Sequence, residues 1–145
     1  MAKMAVAKRS QKRAEPQTAA AAAHGNFCWN ELRTRDVERA KRFYKDTIGW
    51  TFEAAETPDG KPYWVAKAGG KPAAGMFLLT SPEFDKVPES WMSFLAVDDV
   101  DKRVAKAIKA GAKLVMPIFD VPNVGRIAML REPGGAGIGW MTPLG

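Results

Sequence analysis

The segment FCWNELRTRDVERAKRFYKDTIGW, residues 27–50, decides how the chain folds. Its first part alternates with the period of a β-strand, and after Asp36 the apolar residues recur at the spacing of one helical face. Asp36 is suited to cap the first turn of this helix, and Gly49 to end the helix in the left-handed conformation. The segment therefore predicts a strand, a helix and a new strand that opens at Trp50.

A fainter copy of this unit begins at Trp91. Residues 91–97 have the composition of a strand, Asp98 and Asp99 follow as candidate caps, and a helical stripe then runs to a stop before Gly111. Because strand, acidic cap, helix and glycine recur in the same order, we infer an internal duplication.

Short strands follow each helix. Turn signals at residues 57–60 and 69–72 separate strands predicted at 50–55, 63–68 and 74–79, and further strands are predicted at 113–116, 125–130 and 137–141. The predicted fold class is α+β, with two βαβββ modules. Module one spans residues 26–80 and module two residues 91–143, and a proline-containing linker, residues 81–90, joins them.

The chain of 145 residues is about 46% apolar, which suits one folded domain, residues 25–145, preceded by a tail. The tail, residues 1–24, is basic and alanine-rich, and we expect it to be disordered. Its five basic residues and one acid supply +4 of the net charge of +6, so the domain is close to neutral and nucleic acid is not the expected partner. A transit peptide or a nucleic-acid-binding arm are the alternatives for the tail.

The single cysteine, Cys28, excludes an intrachain disulfide and fits a reducing compartment. No apolar run approaches the length that spans a bilayer, so no membrane partner is expected. These observations favour a cytoplasmic location.

The first strand and helix and three later motifs carry a resemblance to a known family. The residues concerned are Trp29 to Asp36, Ala40, Phe43-Tyr44, Gly49-Trp50, Val97 to Val100, Val124 to Arg126 and Glu132 to Ala136, within residues 26–141. Together they resemble the vicinal oxygen chelate superfamily, which includes glyoxalase I, bleomycin-resistance proteins and extradiol dioxygenases. The resemblance implies that each module curls a mixed sheet around a cavity, that the two modules enclose a ligand site, and that the chain forms homodimers.

The family's chemistry usually depends on a divalent metal held by His and Glu side chains. In this sequence the corresponding positions fall on Trp29, Met92 and Gly139, and the strand at 74–79 contains no histidine or acid. Indole, thioether and glycine do not hold the usual cations of this family. We therefore expect no metal and no other cofactor.

Glu31 is the candidate catalytic residue. If Trp29 faces the cavity, alternation turns Phe27, Glu31 and Arg33 the same way and turns Cys28, Asn30 and Leu32 towards the helix. A carboxylate in an apolar cavity has a raised pKa and can serve as a general base or bind a ligand. The alternative is a structural salt bridge to Arg33 or Arg126.

Trp29, Glu31, Met92 and Arg126 are the candidate ligand-binding residues. Arg126 could clamp an anionic ligand, or it could instead tie down a carboxylate or a loop. Trp29 and Met92 could form a flat and adaptable pocket wall, although core packing explains such residues equally well.

The sequence therefore predicts a protein of the glyoxalase/bleomycin-resistance type. It would bind a small aromatic or amphipathic molecule in the cavity between its two modules, without a metal. The enzyme alternative is a lyase, isomerase or dioxygenase that uses a displaced metal site, or Glu31 as acid and base.

Overall fold

The structure is a computed structural model that describes residues 22–57 and 60–144. The predicted tail lies outside the described residues up to position 21, as do residues 58 and 59 of the turn predicted at 57–60. The described chain divides into two compact units, unit 1 with residues 32–90 and unit 2 with residues 22–31 and 91–144. The first strand contributes its beginning to unit 2 and its end to unit 1.

Unit 1 has the predicted order of elements. Its helix opens at Asp36, whose carboxylate accepts a hydrogen bond from Arg39 N at 2.9 Å, and closes at Gly49 with φ 76°. These are the two caps that the sequence predicts. The elements are β1 (Phe27–Thr34), α1 (Val37–Ile48), β2 (Thr51–Ala55), β3 (Tyr63–Ala68), β4 (Lys71–Leu78) and a 3-10 turn (Pro82–Phe84).

The three strands after α1 form an antiparallel meander in the order β2, β3, β4. The turn between β3 and β4 is only Gly69 and Gly70, whose φ angles of 58° and 82° suit the tightest hairpin turn. Strand β4 therefore starts at Lys71, three residues earlier than predicted, and Pro72 is accommodated beside a register shift after Ala66. Proline is tolerated in a strand at such irregularities.

The core of unit 1 lies between α1 and the meander. Met76 is fully buried and packs with Val37 and Ala40 of the helix, while Leu32 from the end of β1 packs against the same cluster. Leu32 thus faces the helix, as the alternation of β1 predicts.

The segment predicted as a linker, residues 81–90, is part of unit 1, where Glu89 and Arg35 provide its main polar contacts. Glu89 accepts from Arg39 at 2.6 and 2.7 Å, from Thr34 Oγ1 at 3.0 Å and from the backbone N of Arg35 at 3.2 Å. Arg35 in turn donates to Phe84 O at 2.7 Å. The hydrogen bonds from Arg39 and Arg35 hold the pKa of Glu89 below its usual value.

Unit 2 repeats the strand and helix and adds one more strand than predicted. Asp99 caps its helix by accepting from Lys102 N at 3.1 Å. The additional strand is β7, only three residues long, in a stretch that carries no alternation long enough to recognise. The elements are β5 (Ser90–Ala96), α2 (Val100–Lys109), β6 (Lys113–Leu114), β7 (Phe119–Val121), β8 (Gly125–Arg131) and β9 (Gly137–Pro143).

The unit 2 sheet is mixed. Strands β5 and β9 are parallel, β9 and β8 are antiparallel, and both β6 and β7 pair antiparallel with β8. Helix α2 covers one face, where Val100 and Val104 pack against Ala128 and Leu130. The α+β class with two βαβββ modules, predicted from the sequence, is confirmed.

Strands β5 and β9 approach closely at one pair of residues. Phe94 stands opposite Gly139 in the parallel register, and a Cβ atom on Gly139 would overlap carbons of the Phe94 ring. Phe94 is only 4% exposed, so its ring has little room to move away. A residue with a side chain at position 139 therefore requires the core of unit 2 to rearrange.

Neither helix within residues 22–57 and 60–144 combines the length and the apolar character needed to cross a lipid bilayer.

We predict that Gly139→Ala lowers the free energy of unfolding by about 1–3 kcal/mol, because the added methyl group overpacks the Phe94 ring. Urea unfolding followed by circular dichroism measures this. Gly134→Ala is the matched control, since a Cβ there has nothing within 4 Å. Equal effects of the two substitutions would contradict the close approach of Phe94.

We further predict that Glu89→Gln destabilises the protein most at neutral pH. Because the folded-state pKa of Glu89 is depressed, its ionised form adds stability above the unfolded-state pKa, and this contribution disappears as pH falls through the folded-state value. Unfolding midpoints of the variant and the wild type should therefore converge in acid. Glu53→Gln, which removes a single exposed ion pair with Lys67, should show a smaller difference throughout.

Candidate functional site

The face of the unit 2 sheet opposite α2 is apolar and rich in sulfur and aromatic rings. Alternation along β8 sends Ile127 and Met129 to this face and sends Ala128 and Leu130 to the helix. We call this surface the methionine face. Its buried members are Phe94, Ile127, Met129 and Met141, and Cys28, Trp29, Met92, Phe119, Val121 and Val124 pack against them partly buried.

Two of the four predicted ligand-binding residues, Trp29 and Met92, lie at the methionine face. Both side chains are half-buried, and both pack against the same buried cluster. They come from different strands, β1 and β5, so the fold brings together two positions that are distant in the sequence. The indole supplies a flat apolar surface and the thioether an adaptable one.

The residues at the positions of the family's metal ligands do not fit a metal ion. Trp29 and Met92 offer no donor of the kind these cations use, and Gly139 offers no side chain and is covered by the Phe94 ring. Among the described residues no three His, Cys, Asp or Glu side chains are grouped so that they could hold a metal.

Cys28 is the one thiol of the sequence, and its environment does not activate it. Burial raises the pKa of the thiol, and the protonated thiol is a poor ligand and a poor nucleophile. Cys28 packs against the methionine face, whereas strict alternation predicts that it turns towards a helix.

Glu31 is half-buried at the last position that β1 contributes to unit 2. Next to it, Asn30 accepts a hydrogen bond through Oδ1 from Ser93 Oγ at 2.7 Å. The raised pKa expected for Glu31 stays a prediction.

Arg126 is held between two carboxylates. Its Nε donates to Asp101 at 2.7 Å and its NH1 to both oxygens of Asp120 at 3.1 Å. A second bond to Asp101, from NH2 at 3.2 Å, makes that pair bidentate and lowers the pKa of Asp101. An anionic ligand at Arg126 would have to displace one of these carboxylates.

Two residues of unit 2 have contacts that the sequence did not indicate. Phe94 fills the space above Gly139, and His24 accepts a hydrogen bond through Nδ1 from the backbone N of Asp98 at 2.9 Å. The sequence gives no local sign of either contact, because each pair is more than forty positions apart along the chain. His24 is the last residue of the segment that the sequence predicts as a disordered tail.

Comparison with known proteins shows which family has this architecture. The model of the Glyoxalase/Bleomycin resistance protein/Dioxygenase superfamily matches residues 23–139. The crystal structure of methylmalonyl-CoA epimerase from Mycobacterium tuberculosis is similar with a TM-score of 0.62 at 17% identity, over 88% of this chain and 95% of that one, which shows likeness of fold.

Curated relatives are similar in sequence. A Mycobacterium tuberculosis protein provisionally named glyoxylase CFP32 is 38% identical over 112 residues, 77% of this chain and 42% of the relative. Anthracycline biosynthesis protein DnrV of Streptomyces peucetius is 27% identical over 125 residues, 79% of this chain and 46% of the relative. The chain thus spans about half the length of these relatives. It belongs to the Glyoxalase/Bleomycin resistance protein/Dioxygenase superfamily.

Proposed function

We propose that this chain binds a small aromatic or amphipathic molecule at the methionine face, without a metal ion. The observation that carries the proposal is the replacement of the family's metal-binding positions by Trp29, Met92 and a glycine covered by Phe94. A Lewis acid has no ligands there, while an apolar ring has several partners. The role that fits is sequestration, sensing or resistance, with no turnover of the molecule.

The chemistry of the methionine face favours a planar ligand. Three thioethers, those of Met92, Met129 and Met141, lie in one cluster with the ring of Phe94. Thioethers adapt their shape and make favourable contacts with ring edges, and the indole of Trp29 adds a flat surface for stacking. Trp29 and Met92 are only partly buried, so both have surface left to offer to a ligand.

The sequence relatives support the aromatic class. One of them is named an anthracycline biosynthesis protein, and anthracyclines are planar aromatic molecules. Since this chain spans about half of that relative, the ligand class carries over here as part of the proposal.

Of the four candidate residues, the proposal gives the main contacts to Trp29 and Met92. Arg126 is paired with Asp101 and Asp120 on the side of the sheet that α2 covers, so the proposal gives it no contact with the ligand. Glu31 stays the candidate for acid and base chemistry if the protein is a lyase, isomerase or dioxygenase. The homodimer and the cytoplasmic location also stay predictions.

We predict that doxorubicin, a fluorescent anthracycline used as a probe, binds saturably to protein treated with a chelator. Trp29→Leu should weaken this binding by roughly tenfold, the effect expected from loss of one aromatic stack. Fluorescence titration at constant ionic strength measures both affinities.

Trp50→Leu is the control variant, because Trp50 stacks on Tyr44 in unit 1 and is not part of the methionine face. Its affinity for doxorubicin should equal that of the wild type. Metal analysis of the purified protein tests the proposal directly. A tightly held Mn, Fe, Ni or Zn in stoichiometric amount would overturn it in favour of the enzyme alternative. Loss of doxorubicin binding after treatment with the chelator would do the same.

A further inference from the structure

Another surface of unit 2 involves none of the residues of the methionine face. It is an open groove of about 510 Å³ at the ends of β5 and β9. This volume lies within the range of small-molecule sites. Ala96, Val97, Pro143 and Leu144 provide most of its apolar wall.

The floor of the groove is fixed by hydrogen bonds. Thr142 Oγ1 accepts from the backbone N of Val100 at 2.8 Å and donates to Val97 O at 3.0 Å. The backbone N of Val97 donates to Met141 O at 2.9 Å. These bonds join the ends of β5 and β9 to the first turn of α2, so a ligand would meet a preformed surface and would not have to order it.

His24 places one polar group in this apolar surrounding. Its Nδ1 accepts from the backbone N of Asp98, so in the neutral ring the proton lies on Nε2. Within residues 22–57 and 60–144, Nε2 has no hydrogen-bond partner, and the side chain is 45% exposed. His24, which lines the groove, therefore has an N–H group that no described residue accepts from.

The charge beside this donor is already balanced. Asp98 accepts from Arg103 at 2.8 Å through Nε and at 2.9 Å through NH2, which lowers the pKa of the carboxyl group and keeps it ionised. Because the two charges compensate each other, the groove gives no strong preference for an anion or a cation. A neutral molecule with one acceptor is the best complement.

We propose that this groove is a second ligand site, which binds a neutral apolar molecule through a carbonyl oxygen that accepts a hydrogen bond from His24 Nε2. The site does not depend on the ligand of the methionine face, since the two sets of residues do not overlap.

Acetophenone and ethylbenzene are the probes, because they have similar shape and only acetophenone carries an acceptor. Each is titrated into ¹⁵N-labelled protein at about pH 8. We expect the amide signals of residues 96–98 to shift, with acetophenone bound roughly fivefold more tightly, as one net hydrogen bond gives. The ¹⁵N shifts of His24 should place its proton on Nε2.

Two variants separate ligand binding from structure. His24→Asn retains an oxygen that can accept from the backbone N of Asp98 but has no donor at the position of Nε2. It should therefore fold like the wild type and bind both probes equally. Lys109→Ala, outside the groove, should keep the fivefold preference.

Any of three results overturns the proposal: a proton on Nδ1, equal binding of the two probes by the wild type, or a preference for acetophenone that persists in His24→Asn. Shifts confined to Trp29, Met92 and their neighbours would do so as well. That last result would still support the methionine face as a ligand site. Failure of the groove proposal can therefore be distinguished from failure of the proposed function.

Discussion

The contact between the Phe94 ring and Gly139 is a steric constraint on the core of unit 2. It sets how closely β5 and β9 approach in their parallel register, and it fills the space in which a side chain at position 139 would stand. Protein cores are close-packed, so the Phe94 ring and a side chain at position 139 cannot occupy the same space. The same contact stabilises the sheet and leaves no space for a side chain at position 139, which the family resemblance assigns to a metal ligand.

Charged residues at the rims of the two units act mainly on each other. Glu89 joins residues near the end of β1 and the start of α1 to the segment that follows the 3-10 turn. Arg126 joins the start of β8 to α2 through Asp101 and to β7 through Asp120. Neither proposed site uses these paired side chains, and both depend mainly on apolar surface.

Local rules predicted the parts of the fold that depend on neighbours in the chain. The caps at Asp36, Gly49 and Asp99 are where the sequence places them, because capping needs only residues three or four positions apart. The start of β4 was misjudged since Gly69 and Gly70 alone make the turn, and β7 was missed because it is held by pairing with β8 and not by its own pattern.

The sequence by itself determined the α+β class, the repeated strand and helix, and the absence of metal-binding side chains at Trp29, Met92 and Gly139, since these follow from residue type and spacing. Only the tertiary structure decided that Phe94 covers Gly139, that Arg126 is saturated by two carboxylates, and that His24 is fixed by the backbone of Asp98. Each of these contacts joins residues from different elements, and no local pattern encodes such partners because they are selected by packing after the elements have formed.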